Sequence, residues 1–174
     1  MFLVVGCDEL DTLLEDNAAA TETKEIATDK EEVTIDRVVD GDTVKVELPS
    51  GKTETVRLLL IDTPESIHPE KPDQPYGEEA SGFAKKRLKE GQTVTLEKGK
   101  PERDKYDRLL GYIWVDDENF NQLMIKEGYA RVAYVYEPNT KYIDEFREAE
   151  EKAEQEGNNI WSIDGYVRSQ FENY

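Results

Sequence analysis

The sequence predicts an α+β fold with a mainly β core: a small closed barrel of five strands with three helices packed on it. Three observations lead there. Short runs of apolar/polar alternation begin at Val33 and are separated by turn residues. One run, Leu58-Leu59-Leu60-Ile61, is apolar on both faces, as a strand central to a closed core is. Helical stripes of apolar residues interleave with these runs and end at glycines. At 174 residues the chain suffices for one ordinary domain and a tail.

The elements follow in order. Residues 33–38 and 43–48 alternate and are joined by the turn Asp40-Gly41-Asp42. Gly51 marks the next turn, and residues 54–61 read as one longer strand ended by Pro64. Pro64, Pro69, Pro72, Pro75 and Gly77 make residues 64–77 an extended surface loop. Residues 78–90 read as a helix, with Ala80, Phe83, Ala84 and Leu88 on one face and Gly91 as its stop. Residues 93–96 and 109–115 supply two further strands. A short helix over 121–127 ends at Gly128. A longer one begins at Asn139, carries Tyr142, Phe146, Ala149 and Ala153 on its inner stripe and stops at Gly157. Trp161 and Tyr166 read as packing residues, and the residues after Ser162 receive no role.

Before Val33 the composition changes. Residues 1–32 hold ten acids and two lysines, a charge of −8, and after Leu14 only Ile26 is a large apolar side chain. Such a stretch buries too little surface to offset its ordering entropy, so residues 8–32 are expected to form a flexible acidic linker and residues 33–174 the domain. The first seven residues, ending Val4-Val5-Gly6-Cys7, resemble the lipobox of bacterial lipoproteins. That resemblance implies lipidation of Cys7, membrane anchoring and an extracellular or cell-surface location. Only six residues precede Cys7, fewer than the apolar stretch of about 7–15 that a signal peptide needs. The motif therefore reads either as a truncated lipobox whose start lies upstream or as a chance match holding an idle thiol.

Charge and rare residues exclude several chemistries. A net charge of −18 argues against a basic nucleic-acid binder and against peripheral binding to anionic lipid. No run of about 18 apolar residues is present. The single Cys excludes an intrachain disulfide and a cysteine zinc site, and the single His, His68, excludes multi-His metal sites. In a proline-rich loop His68 is expected to be dispensable. No obligate protein partner is evident.

What chemistry remains lies at strand ends. Asp42 and Asp62 each end a strand segment beside a turn. Two carboxylates plus the Thr63 carbonyl would leave positions on a hard cation such as Ca2+ for water and a phosphate oxygen. Each aspartate taken singly reads first as a hairpin or loop-capping residue. Arg57 and Arg108 are candidate phosphate forks. On one continuous strand, however, Arg57 and Asp62 would face opposite sides.

The ordered set Asp40-Gly-Asp-Thr-Val44, Arg57-Leu-Leu-Leu-Ile-Asp-Thr-Pro-Glu65, His68-Pro69, Tyr76-Gly77, Glu79-Ala-Ser81, Asp104-Lys-Tyr106 with Arg108, Val132-Ala-Tyr-Val-Tyr136 and Asn159-Ile-Trp-Ser162 resembles the staphylococcal nuclease (thermonuclease) family across nearly the whole domain. The resemblance implies an OB-like five-stranded barrel with three helices and a Ca2+-dependent phosphodiesterase acting on DNA and RNA, leaving 3′-phosphates. It implies Asp42, Asp62 and the Thr63 carbonyl as calcium ligands, with Asp40 close to the metal. Arg57 and Arg108 would grip the scissile phosphate and Glu65 would activate the attacking water. Lys105 and Tyr106 would hold a neighbouring phosphate, with Tyr134 and Tyr136 beside the base. The reversal after Ile61 would bring Arg57 and Asp62 together. Glu70, Pro72, Asp73, Pro75 and Glu102 depart from the more basic loops of known members.

Two other functions fit parts of the pattern. A catalytically silent module of this fold, binding nucleic acid or protein, would have lost the carboxylates or arginines, and all are present. A plain OB-fold binder of single strands needs a basic groove, which the charge opposes. The charge is also uneven: residues 144–156 hold seven acids and two bases, −5, so with the −8 of residues 1–32 only −5 remains elsewhere. That distribution leaves room for a nuclease of weak general affinity for DNA and strong dependence on metal.

Overall fold

The computed structural model describes residues 29–66 and 74–171; Cys7, His68 and most of the acidic segment lie outside the described residues. The chain runs β1 (Lys30–Asp40), β2 (Thr43–Glu47), β3 (Thr53–Leu58), β4 (Ile61–Asp62), α1 (Gly77–Arg87), β5 (Thr93–Arg103), β6 (Leu109–Val115), β7 (Glu118–Asn119), α2 (Phe120–Lys126), β8 (Arg131–Val132) and α3 (Ile143–Glu156). A 3-10 turn, Asn159–Ser162, and α4 (Tyr166–Phe171) follow. The main sheet has the order β3-β2-β1-β5-β6-β7, and a parallel pairing of β3 with β6 closes five of these strands into a barrel. Closure is tight at Gly111, where a Cβ would lie 2.7 Å from Leu96 Cδ1 and 2.8 Å from the Glu97 carbonyl oxygen. The barrel is filled by Val44, Val46, Val56, Leu58, Leu96 and Ile113, and Ala84, Phe120, Met124 and Phe146 cover it from the helices. Each of the larger side chains contributes about 1.5–3 kcal/mol through burial.

The first strand starts earlier than the alternation indicates. Lys30, Glu31 and Glu32 pair with Glu97, Leu96 and Thr95 of β5, so β1 begins at Lys30 rather than Val33. Backbone pairing and ion pairs of Lys98 with Glu31 (2.7 Å) and Lys30 with Glu97 (3.3 Å) replace the apolar contacts this stretch lacks.

Residues 54–61 form two strands, not one. The chain turns at Leu59 and Leu60, with Leu60 at φ 64. A left-handed leucine costs about 1–2 kcal/mol. The turn nevertheless keeps Leu59, Leu60 and Ile61 buried at 7%, 1% and 0% exposure, which offsets that cost. Asn121 on α2 locks it: its amide donates to the Leu59 carbonyl (3.0 Å) and the Gly111 carbonyl (3.2 Å) and accepts from Ile113 N–H (3.2 Å). Beyond the turn, β4 pairs with β8, aligning Asp62 with Arg131.

The last long helix starts at Ile143 rather than Asn139. Asn139 is held by β5 and β6 instead, accepting from Lys100 N–H (2.6 Å) through its side chain and from the Tyr112 hydroxyl (3.2 Å) through its carbonyl. Phe146 and Ala153 face the core as the stripe predicts, and Gly157, at φ 65, ends the helix. After it, Ile160 and Tyr166 form a second small apolar cluster with Tyr76, Trp161 and Val167.

Candidate active site

Three local features bring the acids and arginines together. The turn between β1 and β2 places Asp40 and Asp42 on either side of Gly41. A Cβ on Gly41 would sit 2.8 Å from Thr63 Oγ1, so glycine lets this turn lie directly on the loop after β4. The β2–β3 register sets Thr43 opposite Arg57, which puts Arg57 beside Asp42. The left-handed turn at Leu60 then redirects the chain so that Arg57 and Asp62 meet. The reversal thus comes before Ile61, not after it, and it removes the opposite-face conflict of a continuous strand.

Arg57 is the clamp of this assembly. Its Nη1 donates to the carbonyls of Leu58 (2.8 Å) and Ile61 (3.0 Å), spanning the turn. Its Nη2 lies 2.9 Å from Asp42 Oδ2 and 3.7 Å from Asp62 Oδ1, with the side chain 12% exposed. Asp42 Oδ1 accepts from the Thr43 hydroxyl (2.9 Å), and Thr63 N–H reaches Asp42 Oδ2 at 3.4 Å. Asp62 Oδ2 accepts from Arg131 Nη2 (3.1 Å) and Nε (3.3 Å). Burial and the neighbouring Asp42 push the Asp62 carboxyl up, against the pull of Arg131 and Arg57.

This donor set fits a hard divalent cation. Asp42, Asp62 and Thr63 offer oxygen only, and the two carboxylates are held close enough to repel one another. Among the described residues no group of three or more carboxylate, imidazole or thiol side chains is arranged as a metal cluster. Asp42 and Asp62 would therefore supply two protein carboxylates, leaving further positions for the Thr63 carbonyl, water and substrate oxygens.

Glu65 and Asp40 stand at the mouth of the same cavity. Asp40 Oδ1 accepts from Gly41 N–H (2.8 Å) and from the Ser66 hydroxyl (2.9 Å). Partial burial, then the charges of Asp40 and Asp42, push the Glu65 carboxyl up to about 7. A carboxylate so poised is a competent proton acceptor near neutral pH. The Glu65 backbone is fixed on both sides by Gln74, whose side chain accepts from Glu65 N–H (2.8 Å) and whose N–H donates to the Glu65 carbonyl (3.2 Å).

Two adjoining spaces result. Asp40, Asp42, Arg57, Asp62, Glu65, Arg108 and Tyr134 line a cavity of about 530 Å3. A neighbouring cleft of about 690 Å3 is lined by Arg57, Lys105, Tyr106, Arg108, Tyr134 and Tyr136, among others. Arg108 is aimed by Asp104, which accepts from its Nε (2.7 Å) and from the backbone N–H groups of Arg108 (3.0 Å) and Tyr106 (2.9 Å). Lys105 Nζ and Arg108 lie 4.9 Å and 5.5 Å from the Tyr106 ring, and Arg57 lies 5.3 Å from Tyr134. Tyr106, Tyr134 and Tyr136 are 68%, 50% and 70% exposed, which leaves their rings open to a ligand.

Of the site residues predicted from the sequence, Asp40, Asp42, Arg57, Asp62, Glu65, Lys105, Tyr106, Arg108, Tyr134 and Tyr136 line this pair of spaces; Thr63 lines neither and is buried beside Asp42, and Cys7 lies outside the described residues. Sequence reasoning missed Arg131, Ser66 and Gln74, and it placed Asp104 in a motif without giving it a role. Arg131 carried a signal, a charge inside the apolar stretch 130–133, and Asp104 another, an acid four residues before Arg108. Ser66 and Gln74 carried none, because their partners are set by tertiary packing.

Residues 55–163 match the family described as staphylococcal nuclease homologue. Among individual proteins, the SPbeta prophage-derived endonuclease YokF of Bacillus subtilis (strain 168) is 53% identical over 137 residues, covering 78% of this chain and 46% of that protein. Endonuclease YncB of the same organism is 52% identical over 136 residues, covering 78% of this chain and 64% of that protein. The thermonuclease of Staphylococcus hyicus is 45% identical over 126 residues, covering 72% and 73% respectively. The chain thus spans 46% and 64% of the length of the two Bacillus relatives.

Proposed function

The chain belongs to the staphylococcal nuclease homologue family, and from that premise we propose that it is a Ca2+-dependent phosphodiesterase that hydrolyses DNA and RNA, leaving 3′-phosphates. The observation that carries this reading is the single cavity shared by Asp42, Asp62, Glu65, Arg57 and Arg108. A cation and two guanidinium groups facing one space suit a phosphate whose equatorial oxygens gain charge in the transition state.

Asp42, Asp62 and Thr63 would hold the cation, which when bound supplies positive charge at the scissile phosphate. Arg57 and Arg108 would contact the phosphate oxygens through charge-assisted hydrogen bonds. Glu65 would accept a proton from the attacking water. The oxygen of that water bonds to phosphorus while the bond from phosphorus to the 5′ oxygen breaks, and the leaving 5′ oxygen is protonated from solvent. Direct attack by water, without a covalent enzyme intermediate, is the step proposed. Lys105 and Tyr106 would hold a neighbouring phosphate, and Tyr134 and Tyr136 would lie beside the base.

Plasmid digestion with Ca2+ and with chelator tests the reading. Cleavage is expected only with Ca2+, and Glu65→Gln is expected to slow it by at least ~10²-fold without weakening DNA binding. DNA binding without cleavage in Ca2+ would leave a silent binding module instead. The lipobox resemblance supports a surface-anchored location as a separate proposal; mass spectrometry showing unmodified Cys7 with Met1 retained would refute it.

A further inference from the structure

We propose that the C-terminal segment from Ser162 onward sets the position of Glu65, with Tyr166 on α4 as the positioning residue. The inference rests on the reading of Glu65 as the proton acceptor. Tyr166 is only 5% exposed, and its hydroxyl donates to the Pro75 carbonyl at 2.8 Å. One residue further on, the Tyr76 hydroxyl lies 2.7 Å from Ser162 Oγ. Ser162 Oγ already donates its proton to the Asn159 carbonyl (2.7 Å), so Tyr76 is the donor in that bond. Residues 75 and 76 are therefore tied to the C-terminal segment by two hydrogen bonds running in opposite directions.

The other side of the same turn holds Glu65. Gln74 brackets the Glu65 peptide with its side chain and its own N–H, at 2.8 Å and 3.2 Å. The Gly77 N–H closes the turn on the Gln74 carbonyl (2.9 Å). A Cβ on Gly77 would lie 2.4 Å from the Glu65 carbonyl oxygen, so glycine is what lets the turn press directly on the Glu65–Ser66 backbone. Tyr76 holds a left-handed conformation, φ 66, to make the corner into α1. Glu65 is itself exposed, between the buried Pro64 and Ser66, and the Ser66 hydroxyl on Asp40 (2.9 Å) and the Gln74 bracket hold its peptide from two sides. Its placement over Asp40 and Asp42 depends on Gln74, and Gln74 depends on what anchors Pro75 and Tyr76. Neither tyrosine touches the cavity, so both act through the turn.

The test is a double-mutant cycle of Tyr166→Phe with Glu65→Gln, read as kcat and KM for DNA at saturating Ca2+ and as Ca2+ affinity by calorimetry. Tyr166→Phe keeps the ring in its apolar cluster and removes only the hydroxyl. It is expected to lower kcat about fivefold, the effect of one lost hydrogen bond, with KM and Ca2+ affinity unchanged. In the Glu65→Gln background the same change is expected to cost nothing further. If Glu65→Gln alone leaves kcat intact, the assignment of Glu65 fails, independently of the tyrosine. If Glu65→Gln slows the enzyme but Tyr166→Phe does not, or slows both backgrounds equally, the positioning proposal is overturned. Should Tyr166→Phe fail to fold, Tyr76→Phe cuts the second tie and must show the same dependence on Glu65.

Discussion

Removing the Arg57 side chain probes structure and chemistry at once. In the absence of cation, Arg57→Ala leaves Asp42 and Asp62, with side chains 12% and 14% exposed, without the guanidinium they share. The carbonyls of Leu58 and Ile61 lose their donors as well. Breaking a buried ion pair from one side costs about 3–5 kcal/mol, a large share of the roughly 5–15 kcal/mol that holds a domain folded. Ca2+ changes the balance. On the proposed reading, the cation in the wild type would share Asp42 Oδ2 with a guanidinium 2.9 Å away. Unit charges 4 Å apart interact by about 4 kcal/mol at an effective dielectric of 20. Losing that competitor is therefore expected to tighten Ca2+ binding by at least about tenfold, returning about 1.4 kcal/mol of the deficit. Urea titration in chelator and in saturating Ca2+ measures both deficits, and calorimetry measures the affinity. A deficit identical in the two conditions would refute the idea that Arg57 and the cation compete for these carboxylates. Turnover should fall by at least ~10²-fold in the same variant, and wild-type turnover would remove Arg57 from the phosphate site.

Three further outcomes are expected. Asn121→Ala should destabilise the protein by about 3–5 kcal/mol in urea titration, because it orphans the buried Ile113 N–H and removes the donor to the Leu59 carbonyl at the site-forming turn; an unchanged midpoint would refute the lock. Glu54, gripped by Arg103 through two hydrogen bonds and by Lys52 (2.6 Å), has its carboxyl pulled down from 4.5 to about 2. A depressed carboxylate stabilises fully above its unfolded value and loses that contribution as pH falls, so the stability gap between wild type and Glu54→Gln should be constant above about pH 5 and close as pH approaches 2. In DNA-binding titrations without metal, a site relying on Arg57, Lys105 and Arg108 should show a log–log salt slope of about −2 to −3; tight, salt-insensitive binding would contradict it.

Much of this was legible along the chain because it is local or ordered. The alternation at Val33, Ile35 and Val38 identifies β1, and the residues of the 530 Å3 cavity within Asp40 to Arg108 lie in short motifs at strand ends. What the sequence hid was set by partners far away. Lys30–Glu32 has no apolar pattern and is a strand because β5 lies alongside it. Leu59-Leu60 looks like the middle of a strand, and only the buried amide of Asn121, 62 residues away, marks the turn. Asn139 has the character of a helix start, yet β5 and β6 claim its polar groups. Arg131 meets Asp62 through a ladder of two residues, too short to register as a strand. Tyr166 could be read as packing, but not as the donor to Pro75.

The charge of −18 changes meaning once the site has a position. It is not an average property of the surface that a phosphate would meet. The segment 1–32 and the α3 region 144–156 hold most of it, −8 and −5. The acids nearest the cavity are individually matched: Asp42 and Asp62 by Arg57, Asp62 again by Arg131, and Asp104 by Arg108. Among the described residues of this set, Asp40 and Glu65 face one another without an ion-pair partner, and after partial burial their repulsion is part of what pushes the Glu65 carboxyl up to about 7. Thus the acidity that opposes general affinity for a polyanion also contributes to the poise of the group assigned to take the proton. A nuclease so built would gain little from general attraction to a polyanion and would depend on the cations and open tyrosine rings of these two adjoining spaces.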